Sequence, residues 1–418
     1  VTLLRRVTFD LTGLPPSPDD VDSFMADPSP ESYRKHVDRL LASPAFGERM
    51  AIYWLDLVRY ADTVGYHGDQ DHNISPYRDY IIDAFNADMP FDQFTREQLA
   101  GDLLDSPTTS QLVATGYNRL LQTSHEGGVQ PKEYLAIYAA DRIRNLSNVW
   151  MGATVGCAQC HDHKYDPYTM EDFYSLVAFF ADIDEQKHFS NGTNALPTKR
   201  DPELLVLPDW MEQRLENLEA ALDGLRLESQ TPEAADPTTE ERIQKLERER
   251  QAILDQRRLT MVTRAIEPRT IRVLPRGNWL DDSGPIVEPA IPEFLGNLNT
   301  ADRRATRLDL ADWLVDSEQG VGGLTARVWV NRMWYLMFGR GISSSLADFG
   351  GQGTPPTHPQ LLDHLSVEFI RGGWSIKRMM RRIALSRTYR LSSVASDELE
   401  VADPSNQWFA RQLSLIHI

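Results

Sequence analysis

The chain has few cysteines, a deficit of basic residues and no long apolar run. Only two of its 418 residues are cysteine, so at most one disulfide can form within it. Lysine and arginine number 43 against 61 aspartates and glutamates, which gives a net charge of −18. Because nucleic acids and anionic membranes require a basic surface, we expect neither as a main partner. No run of about 18 apolar residues occurs, so the sequence predicts no transmembrane segment.

The two cysteines stand close together, in the segment Gly156–Pro167 (GCAQCHDHKYDP). A histidine follows the second one directly, which completes the C-x-x-C-H pattern of covalent c-type haem attachment. Thiols three residues apart can reach the two vinyl groups on one edge of a porphyrin, and the next imidazole then points at the iron. We therefore predict haem c bound covalently to Cys157 and Cys160, with His161 as its proximal ligand.

Two other interpretations of this segment stay open. One is a tetrahedral zinc site, formed by Cys157, Cys160, His161 and His163. Against it, the four ligands are packed more closely than in zinc fingers, which use two separated pairs. The other is a disulfide between Cys157 and Cys160, which would act as a structural or redox pair.

A polar loop, Asp62–Asn73, precedes the motif and contains His67 and His72 among several acidic residues. Such a loop could bind a cation or lie over a cofactor. Aspartate, asparagine and glycine are also simply common turn formers. We therefore expect a solvated loop.

A second loop, Thr123–Gly128, ends in paired glycines, which allow a ligand to approach the backbone closely. An ordinary turn is the alternative. His163 is too near His161 to reach the opposite side of a porphyrin plane, so the distal iron ligand must come from elsewhere. We predict His125, in this second loop, as that ligand.

Apolar residues recur at helical spacing along most of the chain, which predicts a mainly α fold. Ser-Pro pairs at 17–18, 29–30 and 43–44 predict helix starts, because serine caps a helix and proline favours its first position. Two helical blocks are expected, joined by a charged helical hairpin and an extended connector rich in proline and glycine. We place the domains at 1–185, at 186–267 for the linker and hairpin, and at 268–418.

Several motifs resemble a family that joins two domains of unknown function. In the first half, RRVTFDLTGLPP at 5–16, GGVQPKEY at 127–134 and the cysteine motif resemble the PSCyt domain of planctomycete-type cytochrome-associated proteins. In the second half, PRG at 275–277, LTARVWVNR at 324–332, FGRG at 338–341 and SRTYR at 386–390 resemble the PSD domain that follows it. The resemblance covers nearly the whole chain.

The resemblance implies a large exported protein, often with a separate cytochrome c domain upstream and sometimes with a module inserted between the halves. Here the hairpin stands at the insertion position. Because the chain starts at Val1 and stops at Ile418, we expect it to be a fragment whose second domain is truncated. Haem c is normally attached outside the bacterial cytoplasm, so we expect an extracytoplasmic location.

The leading hypothesis is therefore an exported haem c protein that transfers electrons to a redox partner protein or to the upstream cytochrome c domain. The alternative is an extracellular structural or polymer-binding module, in which the cysteines form a disulfide or a metal clip. A haem enzyme is a third, narrower hypothesis.

Overall fold

A computed structural model describes residues 1–412 apart from 66–68, 124–128, 186–196, 230–236, 299 and 301. The fold is mainly α, as the apolar periodicity predicts. In chain order the helices are α1 (Thr2–Thr12), α2 (Pro18–Ala26), α3 (Pro30–Leu41), α4 (Pro44–Leu57), α5 (Ser75–Asn86), α6 (Phe91–Ala100), α7 (Thr109–Ala114), α8 (Pro131–Leu146), α9 (Met170–Ala178), α10 (Asp209–Glu228), α11 (Pro237–Leu254), α12 (Arg307–Val315), α13 (Gly322–Phe338), α14 (Pro359–Arg371), α15 (Ile376–Leu385) and α16 (Asp397–Ala402). Two antiparallel strand pairs accompany them: β1 (Glu203–Val206) with β2 (Arg258–Met261), and β3 (Ile271–Arg272) with β4 (Ile286–Val287).

The first helices begin where the Ser-Pro pairs predict. The hydroxyl oxygens of Ser17 and Ser29 accept hydrogen bonds of 3.1 Å from backbone N–H groups three residues on, and Ser43 accepts one of 3.3 Å. Proline occupies the first position of α2, α3 and α4. These local devices fix the helix starts because each satisfies a backbone donor that has no partner inside the helix.

The two helical blocks share one hydrophobic core. Trp54 of α4 stacks on Trp329 of α13 with ring centroids 5.7 Å apart, and Phe91 lies 4.4 Å from the same Trp329 ring. All three side chains are fully buried. Because aromatic rings of this size dominate the apolar area that a core removes from water, the halves stabilise each other.

Polar contacts also cross between the halves inside the protein. Arg307, which is fully buried, binds the carboxylates of Asp102 and Asp182 with four hydrogen bonds of 2.7–3.0 Å. Arg332 donates to the backbone carbonyl oxygens of Asn148 and Val149, in the turn that follows α8. The second half thus holds the backbone that leads into the cysteine motif.

The charged hairpin is built as predicted from two antiparallel helices, α10 and α11. It has a small core of its own, separate from the main one, made by Leu207, Leu218, Leu222, Leu225, Ile243 and Ile253. Strands β1 and β2 close its base, where Val206 is paired with Arg258. The chain therefore enters and leaves the hairpin at the same place.

Along the described residues, no helix combines the length and the apolar character that crossing a membrane requires.

Candidate functional site

The cysteine motif follows α8 through a tight turn. Gly152 adopts a left-handed conformation with φ of 54°, and a Cβ atom there would lie 2.8 Å from both Val328 and Phe349. A short 3₁₀ helix, Val155–Gln159, then carries the first cysteine. Cys157 and Cys160 are exposed free thiols. The turn thus presents both sulfur atoms at the surface, on adjacent parts of one short segment.

The second cysteine contacts the connector from the other half. In the segment Pro275–Gly277, both Arg276 and Gly277 have positive φ angles. A Cβ atom on Gly277 would lie 2.8 Å from the sulfur of Cys160. Only glycine therefore lets the connector approach this thiol so closely. The PRG motif is visible in the sequence, but nothing near it predicts a place against Cys160.

His161 is exposed, and its orientation is set by one hydrogen bond. Its Nδ1 lies 2.8 Å from the carbonyl oxygen of Asp162, which can only accept, so Nδ1 carries the proton. The other ring nitrogen, Nε2, is not engaged by that hydrogen bond. A backbone carbonyl on Nδ1 and a free Nε2 are the usual state of an imidazole that binds a metal.

His163 is buried and both of its ring nitrogens are engaged. Nδ1 accepts hydrogen bonds from the N–H groups of Tyr165, at 3.2 Å, and Asp166, at 2.8 Å. Nε2 therefore carries the proton and donates a hydrogen bond of 3.0 Å to the hydroxyl oxygen of Thr154. This tautomer cannot act as a base toward Thr154, and it leaves no lone pair for zinc.

The predicted zinc alternative gains no support from these contacts. In the described ranges, no group of three or more histidine, cysteine, aspartate or glutamate side chains is placed to hold a metal ion. His163 instead stabilises the turn through its hydrogen bonds to Thr154, Tyr165 and Asp166. The zinc interpretation needs His161 and His163 at one site, but His161 is exposed to solvent whereas His163 is buried.

The acidic end of the motif binds the second half. Asp166 Oδ1 accepts a hydrogen bond of 2.7 Å from the N–H of Gly351. A Cβ atom on Gly350 would lie 2.5 Å from the other carboxylate oxygen, so this position has room only for glycine. Asp166 therefore binds the loop after α13, a contact that no local pattern in the sequence predicts.

The two polar loops that precede the motif lie side by side. Gly65 and Thr123 form a parallel bridge, and Thr123 N–H donates to the carbonyl oxygen of Val64 at 2.9 Å. His125, the predicted distal ligand, falls outside the described residues, as does His67.

The expectation of a solvated loop is wrong for His72. This side chain is buried, and its Nε2 donates to the carbonyl oxygen of Ala61 at 2.8 Å. Burial, reinforced by the positive charge of Arg200, lowers the pKa of His72 to about 4. The histidine therefore stays neutral over the physiological range.

A cavity of about 470 Å³ lies between α8, α9 and the connector. It borders the motif, because Gln159 and Tyr174 both line it. The Tyr174 hydroxyl donates to the carbonyl oxygen of Gln159 at 3.0 Å. The cavity thus starts one residue away from Cys160 and continues along α9.

Two family models match the chain. PSCyt2, described as a protein of unknown function (DUF1549), matches residues 1–185, and PSD1, described as a protein of unknown function (DUF1553), matches residues 306–415. No curated protein and no solved structure gives a significant match.

Proposed function

The chain belongs to the family in which a PSCyt2 domain precedes a PSD1 domain, and since neither domain has an assigned function, we propose one from the cysteine motif. We propose that the protein is an exported haem c protein that transfers electrons. Cys157 and Cys160 would bind the haem covalently, and His161 would be the proximal iron ligand.

The observation that carries this proposal is the state of His161. Its Nδ1 is held by the Asp162 carbonyl oxygen, which leaves Nε2 of this exposed side chain as the ring nitrogen that would bind a metal. Both thiols beside it are exposed and free. The residues present therefore fit the group that the C-x-x-C-H pattern implies.

Haem c bound here would supply a one-electron iron centre. The chain's own residues would attach and orient it. Each of the two thiols would add across one vinyl group, with the sulfur bonding to one carbon and the thiol proton going to the other. The Asp162 carbonyl oxygen orients the His161 ring, and the buried His163 keeps the turn rigid. Gly277 leaves room beside the Cys160 sulfur.

The proposal includes an extracytoplasmic location, because haem c attachment normally takes place there. It also includes a redox partner, either a separate protein or a cytochrome c domain upstream of this chain. The cavity between α8 and α9 also borders the motif through Gln159, which supports placing a cofactor near these helices.

The test is production of the chain, with an export signal, in a bacterium that has cytochrome c maturation machinery. We expect one haem per chain that survives denaturing electrophoresis. Cys157→Ala or Cys160→Ala should weaken or abolish that stain, and His161→Ala should prevent correct attachment. His364→Ala, at an exposed histidine of α14, is the matched control and should leave the stain unchanged.

A colourless product would overturn the haem proposal, and thiol titration of the same sample would identify its replacement. Two thiols that react without denaturant would leave a free dithiol. No reactive thiol together with stoichiometric zinc would favour the metal clip. No reactive thiol until a reductant is added would favour the disulfide, and with it the structural or polymer-binding alternative.

A further inference from the structure

The cavity beside the motif has apolar walls. It lies between one face of α8, one face of α9 and the strand β3. Its apolar lining includes Leu135, Ala139, Phe173, Val177, Phe180 and Ile271. A space of about 470 Å³ with such walls has the size and character of a small-molecule site.

The same cavity is rich in positive charge. The basic residues Lys132, Arg142, Arg269 and Arg272 line it, and Asp282 is the only acidic residue in the lining that the described part of the chain provides. Lys132 and Asp282, both about half exposed, form an ion pair of 2.6 Å, so their two charges compensate each other. Because the protein as a whole has a net charge of −18, this local excess of cations is unusual, and it favours the binding of an anion.

The inner end already stabilises one carboxylate. Glu185, just behind the lining, binds Arg142 at 2.7 Å and Arg269 at 3.4 Å. Burial alone would raise the pKa of Glu185, but the two arginines outweigh it and hold the pKa below its ordinary value. Two guanidinium groups thus share a single carboxylate, and Nε of the buried Arg142 has no hydrogen-bond partner.

Arg272 adds a further charge from the connector. Its guanidinium donates to the carbonyl oxygen of Gly284 at 3.1 Å, and no carboxylate of the described residues forms an ion pair with it. Arg269 and Arg272 both line the cavity from the connector, so both place positive charge beside an anion bound there. The apolar walls extend away from this stretch along α8 and α9.

We propose that this cavity binds a small apolar carboxylate, whose hydrocarbon part contacts α8 and α9 and whose carboxylate group pairs with the arginines of the connector. Two sources share this chemistry: a free fatty acid, and a porphyrin through its propionate groups. The proposal goes beyond haem attachment and does not depend on it, because the cavity and its charges exist without a covalent link.

The experiment uses the full chain with Cys157→Ala and Cys160→Ala, so that covalent attachment cannot interfere. Binding of cis-parinaric acid and of its methyl ester is measured from the fluorescence of the probe. Binding of protoporphyrin IX is measured from the quenching of tryptophan fluorescence, since Trp279 lines the cavity. We expect saturable one-site binding of an acid. The neutral ester should bind about tenfold more weakly, because it lacks the charge-assisted hydrogen bonds.

Two variants and one control locate the site. Ala139→Phe should fill the cavity and weaken binding by about tenfold, while Ile137→Phe, on the solvent side of the same helix, should leave it unchanged. Arg272→Gln should weaken the acid but not the ester, which tests the charge without filling the cavity. Circular dichroism melting checks that each variant folds.

Binding of parinaric acid alone would support a fatty acid, and binding of protoporphyrin alone would support the porphyrin. The proposal is overturned if neither acid binds, if the ester binds as well as its acid, or if both Ala139→Phe and Arg272→Gln bind like their parent. Haem attachment is scored separately on the chain with intact cysteines, so failure of one proposal is distinguishable from failure of the other.

Discussion

The phenolic hydroxyl of Tyr389 donates a 2.5 Å hydrogen bond to the carboxylate of Asp10, although the two residues stand 379 positions apart. Arg6 completes the contact by donating to the carbonyl oxygen of Tyr389 at 2.8 Å. Asp10 and Arg6 belong to the RRVTFDLTGLPP motif of the first half, and Tyr389 belongs to the SRTYR motif of the second. These two motifs therefore join the halves inside the core.

This contact predicts a pH dependence of stability. Burial raises the pKa of Asp10 to about 7, despite the Tyr389 hydrogen bond, from an ordinary value of 3.8. The folded state therefore holds the proton more tightly than the unfolded state, so the free energy of unfolding falls as pH rises from about 4 to about 7. Asp10→Asn should remove this fall, because asparagine does not titrate. Above pH 7 the free energy of unfolding of the variant should therefore exceed that of the wild type by up to about 4 kcal/mol.

Urea unfolding at pH 4, 5.5 and 8 measures the difference between the two proteins. It should be near zero at pH 4 and grow toward pH 8. Asp22→Asn, at an exposed carboxylate of α2, should show no such growth. Parallel curves for Asp10→Asn and the wild type would show that Asp10 titrates normally in the folded protein.

The buried arginine between the halves predicts a large loss of stability on substitution. Arg307→Gln would leave Asp102 and Asp182 without their cation in the protein interior, which should cost about 3–5 kcal/mol. Arg381, on the surface, also crosses between the halves, to Asp38 at 2.6 Å. Because that pair is exposed to water, Arg381→Gln should cost less than about 1 kcal/mol.

Denaturant unfolding of both variants measures this contrast. A similar, small cost for the two substitutions would mean that the interior pair contributes little to holding the halves together. A second unfolding transition in Arg307→Gln alone would instead show that the halves had become independent.

The hairpin should be dispensable for folding of the rest. Its helices have their own small core, whereas Met261 of β2 belongs to the main one. We therefore predict that residues 209–254 can be replaced by a short Gly/Ser turn between β1 and β2, with the thermal midpoint lowered by only a few degrees. Deleting β2 as well is the informative comparison and should lower the midpoint strongly. A large fall with the first deletion would show that the hairpin helices stabilise the main core.

The distal side of the proposed haem gives a spectroscopic prediction. If His125 binds the iron, the ferric protein should be low-spin, and His125→Ala should make it high-spin. His364→Ala should leave the spectrum unchanged. A wild-type protein that is already high-spin and binds cyanide readily would refute the ligand and favour a haem enzyme or a ligand sensor.

Local signals in the sequence predicted the elements and the motif but not their partners. Serine caps and apolar spacing act over three or four residues, so helix starts such as Ser17 and Ser29 follow from the sequence. The contact of Gly277 with Cys160 and that of Asp166 with Gly351 join distant parts of the chain, and nothing near either residue encodes its partner. His72 shows the same limit, since this one side chain proved to be buried although its loop has a turn-forming composition.

The pairing of Val206 with Arg258 bears on how such proteins diverge. Paired strand residues lie only about 5 Å apart, so the two ends of the inserted segment between Val206 and Arg258 are close together. Many independently folded domains also have neighbouring termini. A gene segment encoding such a domain can therefore be gained, lost or exchanged at this point without moving either half, and relatives of very different length can keep the same joined core.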